Sequence, residues 1–192
     1  MNDHLALPPL PVRSYDVADY VPWTDLVRRP AEFSMAAYGI PGPQGSKRHV
    51  GKGVMVESSK KVKPWRAAVA AAAVEEVEKR PEFEVLDGPL VADMIFTMPK
   101  GVSIPKWKQW PSTTPDLSKL VRSTEDALKG VVWKDDARVI AYRRLEKVYL
   151  GADRFHIGDT LRAPGVLLRV WKVPAEHEQR HRDLVKKQRT RS

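Results

Sequence analysis

Several acidic residues lie close together in the sequence between Asp116 and Asp136. Asp116 begins a segment with helical periodicity, Asp126 lies further along it, and Asp135 and Asp136 are adjacent. Adjacent carboxylates repel each other unless a positive charge meets them, and a divalent cation can supply that charge. Mg²⁺ prefers oxygen ligands, of which one or two are usually carboxylates. A metal ion held there could polarise a phosphoryl group and activate a water molecule, which is the chemistry of phosphodiester hydrolysis.

Each of these acids also has a simpler interpretation. Asp116 stands at a predicted helix start, where a carboxylate can cap free backbone N–H groups. Asp135 and Asp136 are typical of a turn before a strand. Arg122 and Asp126 are one helical turn apart, within reach of a surface ion pair worth a few tenths of a kcal/mol. Taken separately, the features leave the structural and the catalytic interpretations open, and only their combination favours a metal site.

A small set of helices and strands must position these residues. Apolar, β-prone runs predict strands at residues 33–40, 54–56, 90–98, 137–149 and 165–173. Helices are predicted at residues 64–80, where Pro64 suits the first turn, and at residues 117–129, which Gly130 closes. This order predicts an α+β fold in which a mixed β-sheet carries two packed helices.

The second predicted helix has one apolar face, formed by Leu117, Leu120, Val121, Thr124 and Leu128. This face is expected to pack on the sheet. After Gly130 the chain turns, and we expect the following strand to bring the acidic pair back near the helix start or alongside the helix.

The domain predicted from these elements spans residues 33–174. A proline-rich N-terminal extension precedes it at residues 1–32, and a basic C-terminal tail follows at residues 175–192. No apolar run of about 18 residues predicts a membrane span, and no secretory signal is recognised. A cytoplasmic location is therefore expected.

The chain is strongly basic and contains no cysteine. It has 33 lysines and arginines against 24 aspartates and glutamates, a formal net charge of +9. Such a charge attracts polyanions, nucleic acid first and anionic membranes second, although it also fits a merely basic soluble protein. The absence of cysteine excludes disulfides, a thiolate zinc site and a cysteine nucleophile.

Basic residues outside the acidic segment are candidates for phosphate contacts, which give affinity without sequence preference. The candidates are Lys47, Arg48, Lys52, Lys100, Lys106, Lys108 and Lys119. Trp107 and Trp110 lie among them and could stack on unpaired bases. Packing within the domain, or a contact between subunits, is the alternative role for these tryptophans.

The segment from Pro115 to Arg144 reads PDLSKLVRSTEDALKGVVWKDDARVIAYRR. It resembles the signature of the RusA-like endodeoxyribonucleases, the Holliday junction resolvases, in which Asp-Leu-Asp-Asn precedes a lysine, Asp-Ala-Leu, a glycine turn, an aromatic residue and Asp-Asp. The matching positions are Asp116-Leu117, Asp126-Ala127-Leu128, Gly130, Trp133, Asp135-Asp136 and Val139. Upstream, Gly39 to Pro43 with Lys47-Arg48, and Lys63 to Arg66, resemble the family's first strand, basic loop and first helix. The resemblance covers about Phe33 to Val173.

The resemblance implies a homodimer that binds four-way or other branched DNA and cuts it with Mg²⁺, for which Mn²⁺ could substitute. Recombination, repair and phage DNA processing are the settings it implies. Position matching assigns metal binding to Asp116 and Asp136, with Asp135 as a further ligand. Arg122 takes the place of the family lysine, and Asp126 is retained.

One position departs from the family pattern. The family's second aspartate falls on Ser118, and serine is a poor ligand for Mg²⁺. Asp135 or Asp126 could complete the site, Glu125 could reach into it, or the site could be weakened. A working nuclease is favoured because the other aspartates remain. The alternatives are a branched-DNA-binding protein of the same fold with weak or no cleavage, and a basic RNA-binding module, whose usual motifs are absent.

Overall fold

The computed structural model describes residues 26, 29–45, 47–49, 55–57, 60–152, 159–176 and 179, with 47–49 and 55–57 described by their backbone. The chain divides into two compact units, Met1–Pro30 and Ala31–Ser192. The predicted N-terminal extension and basic tail therefore lie mostly outside the described residues. None of the helices described is long and apolar enough to cross a membrane.

A mixed four-stranded sheet forms the centre of the second unit. Its strands are β1 (Phe33–Tyr38), β4 (Leu90–Met98), β5 (Val139–Tyr149) and β6 (Gly165–Lys172), and they lie in the order β1-β6-β4-β5. β6 pairs antiparallel with both β1 and β4, whereas β4 and β5 run parallel. A separate pair is formed by β2 (Lys47–His49) and β3 (Met55–Glu57). The predicted α+β class with a mixed sheet is confirmed.

Two helices of the described chain, α1 (Val62–Glu78) and α2 (Leu117–Leu128), cover one face of the sheet. Trp65 of α1 and Leu120 of α2 are buried in the same core as Met94 and Phe96 of β4. The Trp65 indole N–H also donates to the Thr124 hydroxyl at 3.1 Å, which joins the two helices. The apolar face predicted for the second helix therefore packs as expected.

Helix α2 is the crossover between the parallel strands β4 and β5. Parallel neighbours need such a connection, because the chain must return to the same edge of the sheet before the second strand begins. Leu90 pairs with Val139 and Met98 with Tyr149, so the two strands begin and end together. As a result α2 starts near the end of β4 and finishes near the beginning of β5. This direction determines where the acidic residues lie.

The sheet face away from the helices holds a buried ion network. Strand alternation places Asp93 on the face opposite Met94, and Asp93 is fully buried. Its carboxylate accepts hydrogen bonds from the Arg143 guanidinium, at 2.8 Å from Nε, and from the Arg144 backbone N–H at 3.1 Å. The Arg143 guanidinium also lies over the Trp171 ring, 4.8 Å from its centroid. These contacts connect β4, β5 and β6.

Candidate active site

Asp116 lies at the N-terminal end of α2 with its carboxylate open to solvent. Its backbone has the extended conformation of a cap residue, yet the side chain makes no capping hydrogen bond. The side chain is 54% exposed, and its partner is the Lys119 ammonium at 3.0 Å. The simple capping interpretation is therefore not realised, and the carboxylate is accessible to a ligand from solution.

The segment before Asp116 is held by the neighbouring strand β5. The Lys147 ammonium donates hydrogen bonds to the carbonyls of Thr113 at 2.6 Å and Pro115 at 2.8 Å. The Tyr149 backbone N–H donates to the Gln109 carbonyl at 2.8 Å. Asp116 thus follows directly after a chain segment that β5 holds at three backbone carbonyls.

Asp135 and Asp136 lie beyond the other end of α2. The Asp135 carboxylate accepts the Ala137 backbone N–H at 3.0 Å and caps the short 3₁₀ helix Asp136–Arg138. The Lys129 ammonium lies 2.5 Å from Asp135 and 4.0 Å from Asp136. The bond from Lys129, followed by those from Ala137 and Asp136, lowers the pKa of Asp135 to about 2. Asp136 is held less closely by Lys129 than Asp135 is, and its side chain is 41% exposed.

A further acid, Glu125, lies at this end of α2. Its carboxylate accepts a hydrogen bond from the Tyr142 hydroxyl of β5 at 2.6 Å. Burial raises the pKa of Glu125, and the carboxylates of Asp136 and Asp126 raise it further. Sequence reasoning considered Glu125 only as a residue reaching towards Ser118, because the side of β5 that meets α2 could not be inferred.

The two groups of acids are far apart within one chain. Asp116 and Glu125 are nine residues apart, which corresponds to about 14 Å along a helix axis. Two oxygens that bind the same Mg²⁺ lie no more than about 4 Å apart, because each is about 2 Å from the ion. In the described part of the chain, no three Asp, Glu, His or Cys side chains are arranged to hold a metal ion. Of the two positions expected for the acidic pair, the one at the helix start is not observed: the pair lies beside the last turn of the helix, because α2 runs antiparallel to β5.

The remaining residues of the acidic segment have separate surroundings. Asp126 forms a salt bridge with Arg66 of α1, and Arg66 also donates to the Gln44 side chain at 2.9 Å. Asp126 therefore connects the two helices rather than pairing with Arg122. The exposed Arg122 guanidinium forms no hydrogen bond or salt bridge with any described residue. Ser118 is exposed on the first turn of α2.

Only some of the residues predicted to contact DNA have side chains that the structure describes. Lys106 is exposed and Lys108 half-buried, whereas the Lys100 ammonium donates to the carbonyls of both at 2.9 Å. The side chains of Lys47 and Arg48, and the whole of Lys52, lie outside the described residues. Their contact with DNA remains a prediction, as does that of Lys119, which pairs with Asp116.

Trp107 and Trp110 are not packed into the domain. Trp107 is 77% exposed and Trp110 is 56% exposed, on a loop whose backbone is held by the Lys100 and Lys147 ammonium groups. Packing within the domain, one of the three roles considered from the sequence, therefore does not explain them.

Comparison with known proteins finds similarity over the part of the chain that carries the candidate site. The family model described as "Endodeoxyribonuclease RusA" matches residues 39–158, which include both ends of α2 and both groups of acids. A relative in Bacillus subtilis (strain 168), named "Uncharacterized protein YqaN", is 34% identical over 116 residues. That alignment covers 54% of this chain and 78% of the relative.

Proposed function

The chain belongs to the RusA family of endodeoxyribonucleases, and on that premise we propose that it cuts Holliday junctions or other branched DNA as a metal-dependent homodimer. The observation that carries the proposal is the pair of accessible carboxylates, Asp116 and Asp136, at the two ends of α2. Each has a lysine as its nearest cation, at 3.0 Å and 4.0 Å respectively. Accessible acids in a chain of net charge +9 are suited to bringing a metal ion to a polyanion.

The distance between the two ends of α2 supports the homodimer. Most homodimers have twofold symmetry. A twofold axis perpendicular to α2 reverses the helix direction in the second subunit. Asp136 of the partner subunit can then approach Asp116 of the first, and the reverse pairing forms a second site. Two equivalent sites would suit an enzyme that cuts two strands of a symmetric junction.

The donor set at these positions fits the expected ion. Carboxylate oxygens are the ligands that Mg²⁺ prefers, and Mn²⁺ accepts them as well. Asp116 and Asp136 would hold the ion, and it would supply polarisation of the phosphoryl group and an acidified water. The Lys129 ammonium lowers the pKa of Asp135 to about 2, so Asp135 is a carboxylate at neutral pH and is a further oxygen ligand beside Asp136.

Arg122 is the group that we assign to the DNA phosphate. It lies on the exposed side of α2 between the two groups of acids, and its guanidinium forms no hydrogen bond or salt bridge with a described residue, although its charge acts on Glu125. A guanidinium offers several fixed N–H donors and can bind two oxygens of one phosphate. Charge that develops on the phosphate during strand cleavage would be stabilised there.

The experiment that tests the proposal is cleavage of a synthetic four-way junction with Mg²⁺, and with Ca²⁺ or EDTA for binding without cutting. Asp116→Asn and Asp136→Asn should each abolish cutting while the mobility-shift affinity for the junction is kept. Asp87→Asn is a matched control, because Asp87 is an exposed acid that pairs with Lys134 and Arg138 instead. Normal cutting by either active-site variant would contradict the metal assignment.

Ser118 gives specific support to a second candidate, a branched-DNA-binding protein with weak cleavage. The family signature has an aspartate at this position, and the exposed serine on the first turn of α2 supplies no carboxylate. Under this candidate the protein binds junctions but hardly cuts them with any divalent metal. Ser118→Asp would then raise the cutting rate, whereas in an already efficient enzyme it would change the rate little.

A further inference from the structure

A cleft opens beside Asp116, at the N-terminal end of α2. Its volume is about 620 Å³, within the range of about 300–1,000 Å³ that is typical of small-molecule sites. One wall is the segment from Ile40 to Gly45, and the other is the loop between β4 and α2. Met98, Ile104, Pro111 and Tyr149 make much of its lining apolar. No role in metal binding or phosphate contact accounts for this apolar cavity.

The first wall is fixed by contacts with both helices. The Ser123 hydroxyl donates to the Gly42 carbonyl at 2.6 Å, and the Gln44 backbone N–H donates to the Lys119 carbonyl at 2.9 Å. Gly42 lies so close to the start of α1 that an added Cβ would collide with the Lys61 carbonyl oxygen. This wall therefore exists before any ligand binds.

The second wall is held by two lysine ammonium groups. Lys147 donates to the carbonyls of Thr113 and Pro115, both of which line the cleft. Lys100 donates to the carbonyls of Lys106 and Lys108 in the same loop. A cavity with two fixed walls loses little conformational entropy when it is filled, so it is preorganised for a ligand.

The charges at the cleft select a nucleic acid as its occupant. Lys61 and Lys119 line it, Asp116 is its one lining acid among the described residues, and the loop from Pro99 to Pro115 contains no acid. A second cleft of about 430 Å³ elsewhere on the domain is lined by three glutamates, Glu32, Glu82 and Glu84, against two basic residues, Arg80 and Lys172, so its charge is less favourable for DNA. An apolar floor with a basic rim is the combination that binds a base and its phosphate together.

We propose that the cleft beside Asp116 receives one unstacked nucleobase of the DNA strand that the enzyme cuts. The inference rests on the proposed function, since it places the base next to the scissile phosphate. The base would lie on Met98 and Tyr149, while Lys61 and Lys119 contact the flanking phosphates. Branched DNA supplies such a base at low cost, because stacking is already interrupted at the branch point. The cleft would then determine which bases flank the cut.

A second copy of the chain is a poorer occupant. In the proposed dimer the twofold axis brings the partner's Asp136 end of α2 towards Asp116, and the space beside that shared site has to admit the strand that is cut. Lys61 and Lys119 would then meet DNA phosphates, which neutralise their charge. Exposed Trp107 and Trp110 on the same loop also suit DNA, because indole rings stack on bases of any sequence.

The test uses four-way junctions with 2-aminopurine placed, one position at a time, around the branch point. The dimer is added with Ca²⁺, so that binding is measured without cutting. Emission should rise on binding at one or two positions, because the fluorescent base leaves its stack. Thr113→Phe fills the mouth of the cleft and should abolish this rise. Ser112→Phe is the matched control, because Ser112 is the exposed neighbour and does not line the cleft.

The outcomes separate the two proposals. If the protein neither binds nor cuts branched DNA, the proposed function is overturned. If it binds and cuts but no position brightens, or if Thr113→Phe brightens like Ser112→Phe, the base site is overturned and the function stands. Sedimentation equilibrium and thermal melting accompany both variants. A Thr113→Phe variant that becomes monomeric would assign the cleft to the subunit contact and would also overturn the base site.

Discussion

Mixing two inactive variants tests whether the active site is shared between subunits. The axial rise of about 14 Å between Asp116 and Glu125 keeps Asp116 and Asp136 of one chain from binding one ion. In a dimer of one Asp116→Asn chain and one Asp136→Asn chain, one site carries both substitutions. The other site combines the two unchanged aspartates and is intact.

The expected magnitude follows from this symmetry. When the two variants are coexpressed equally and pair at random, half of the dimers are mixed, and each has one intact site out of two. The rate of strand nicking should therefore recover to about a quarter of the wild-type rate. On a supercoiled plasmid with an extruded cruciform, the product should be nicked circles rather than linear DNA, because paired cutting needs both sites.

The control is coexpression of Asp116→Asn with the double variant Asp116→Asn/Asp136→Asn, which restores no site under any arrangement. Different affinity tags on the two chains allow mixed dimers to be isolated and verified by mass spectrometry. Verified mixed dimers that do not nick DNA would refute the shared site. The two aspartates would then have to act within one chain or in separate roles.

Three other expectations follow from the described contacts. Asp93→Asn should lower the free energy of unfolding by about 3–5 kcal/mol in urea titrations, because the Arg143 guanidinium loses the buried carboxylate that balances its charge. A loss below about 1 kcal/mol would contradict this. Burial raises the pKa of Glu125. Above that raised pKa the buried carboxylate is ionised and lowers the free energy of unfolding, whereas at lower pH it is protonated and this cost disappears. Glu125→Gln should therefore raise the melting temperature relative to wild type at pH 7 but not near pH 4, and an advantage independent of pH would speak against this. Lys147→Met should slow junction cutting while the Kd for the junction changes little, because Lys147 positions the segment before Asp116; loss of binding in step with cutting would indicate a direct phosphate contact instead.

The regular elements were largely predictable because their signals are local. The strand expected at residues 90–98 has those bounds, and its composition, apolar except for Asp93 and Thr97, matches burial on both faces. The helix expected at residues 117–129 ends one residue earlier, and the one expected at residues 64–80 is observed at Val62–Glu78. In the latter case Pro64 lies in the first turn, as predicted, but the helix begins before it.

Contacts between distant parts of the chain were not predictable from spacing. Local periodicity placed Arg122 within reach of Asp126, whereas the partner of Asp126 is Arg66, which only the packing of α1 on α2 brings near. Which end of the helix the acidic pair lies beside could not be inferred, for a related reason. Its position depends on the parallel pairing of β4 with β5, and that pairing is a property of the sheet rather than of the segment itself.

The lysines that hold the loop before α2 have a consequence for how DNA affinity varies with salt. Each phosphate neutralised by a basic side chain releases condensed counterions, and the slope of log K against log salt counts these contacts. The Lys100 and Lys147 ammonium groups already donate to two carbonyls each. Their charge attracts DNA over a distance. Because their N–H groups are already bound to backbone carbonyls, they should make few direct phosphate contacts and release few counterions from the DNA. Binding should therefore weaken with added salt less steeply than the 33 basic residues suggest.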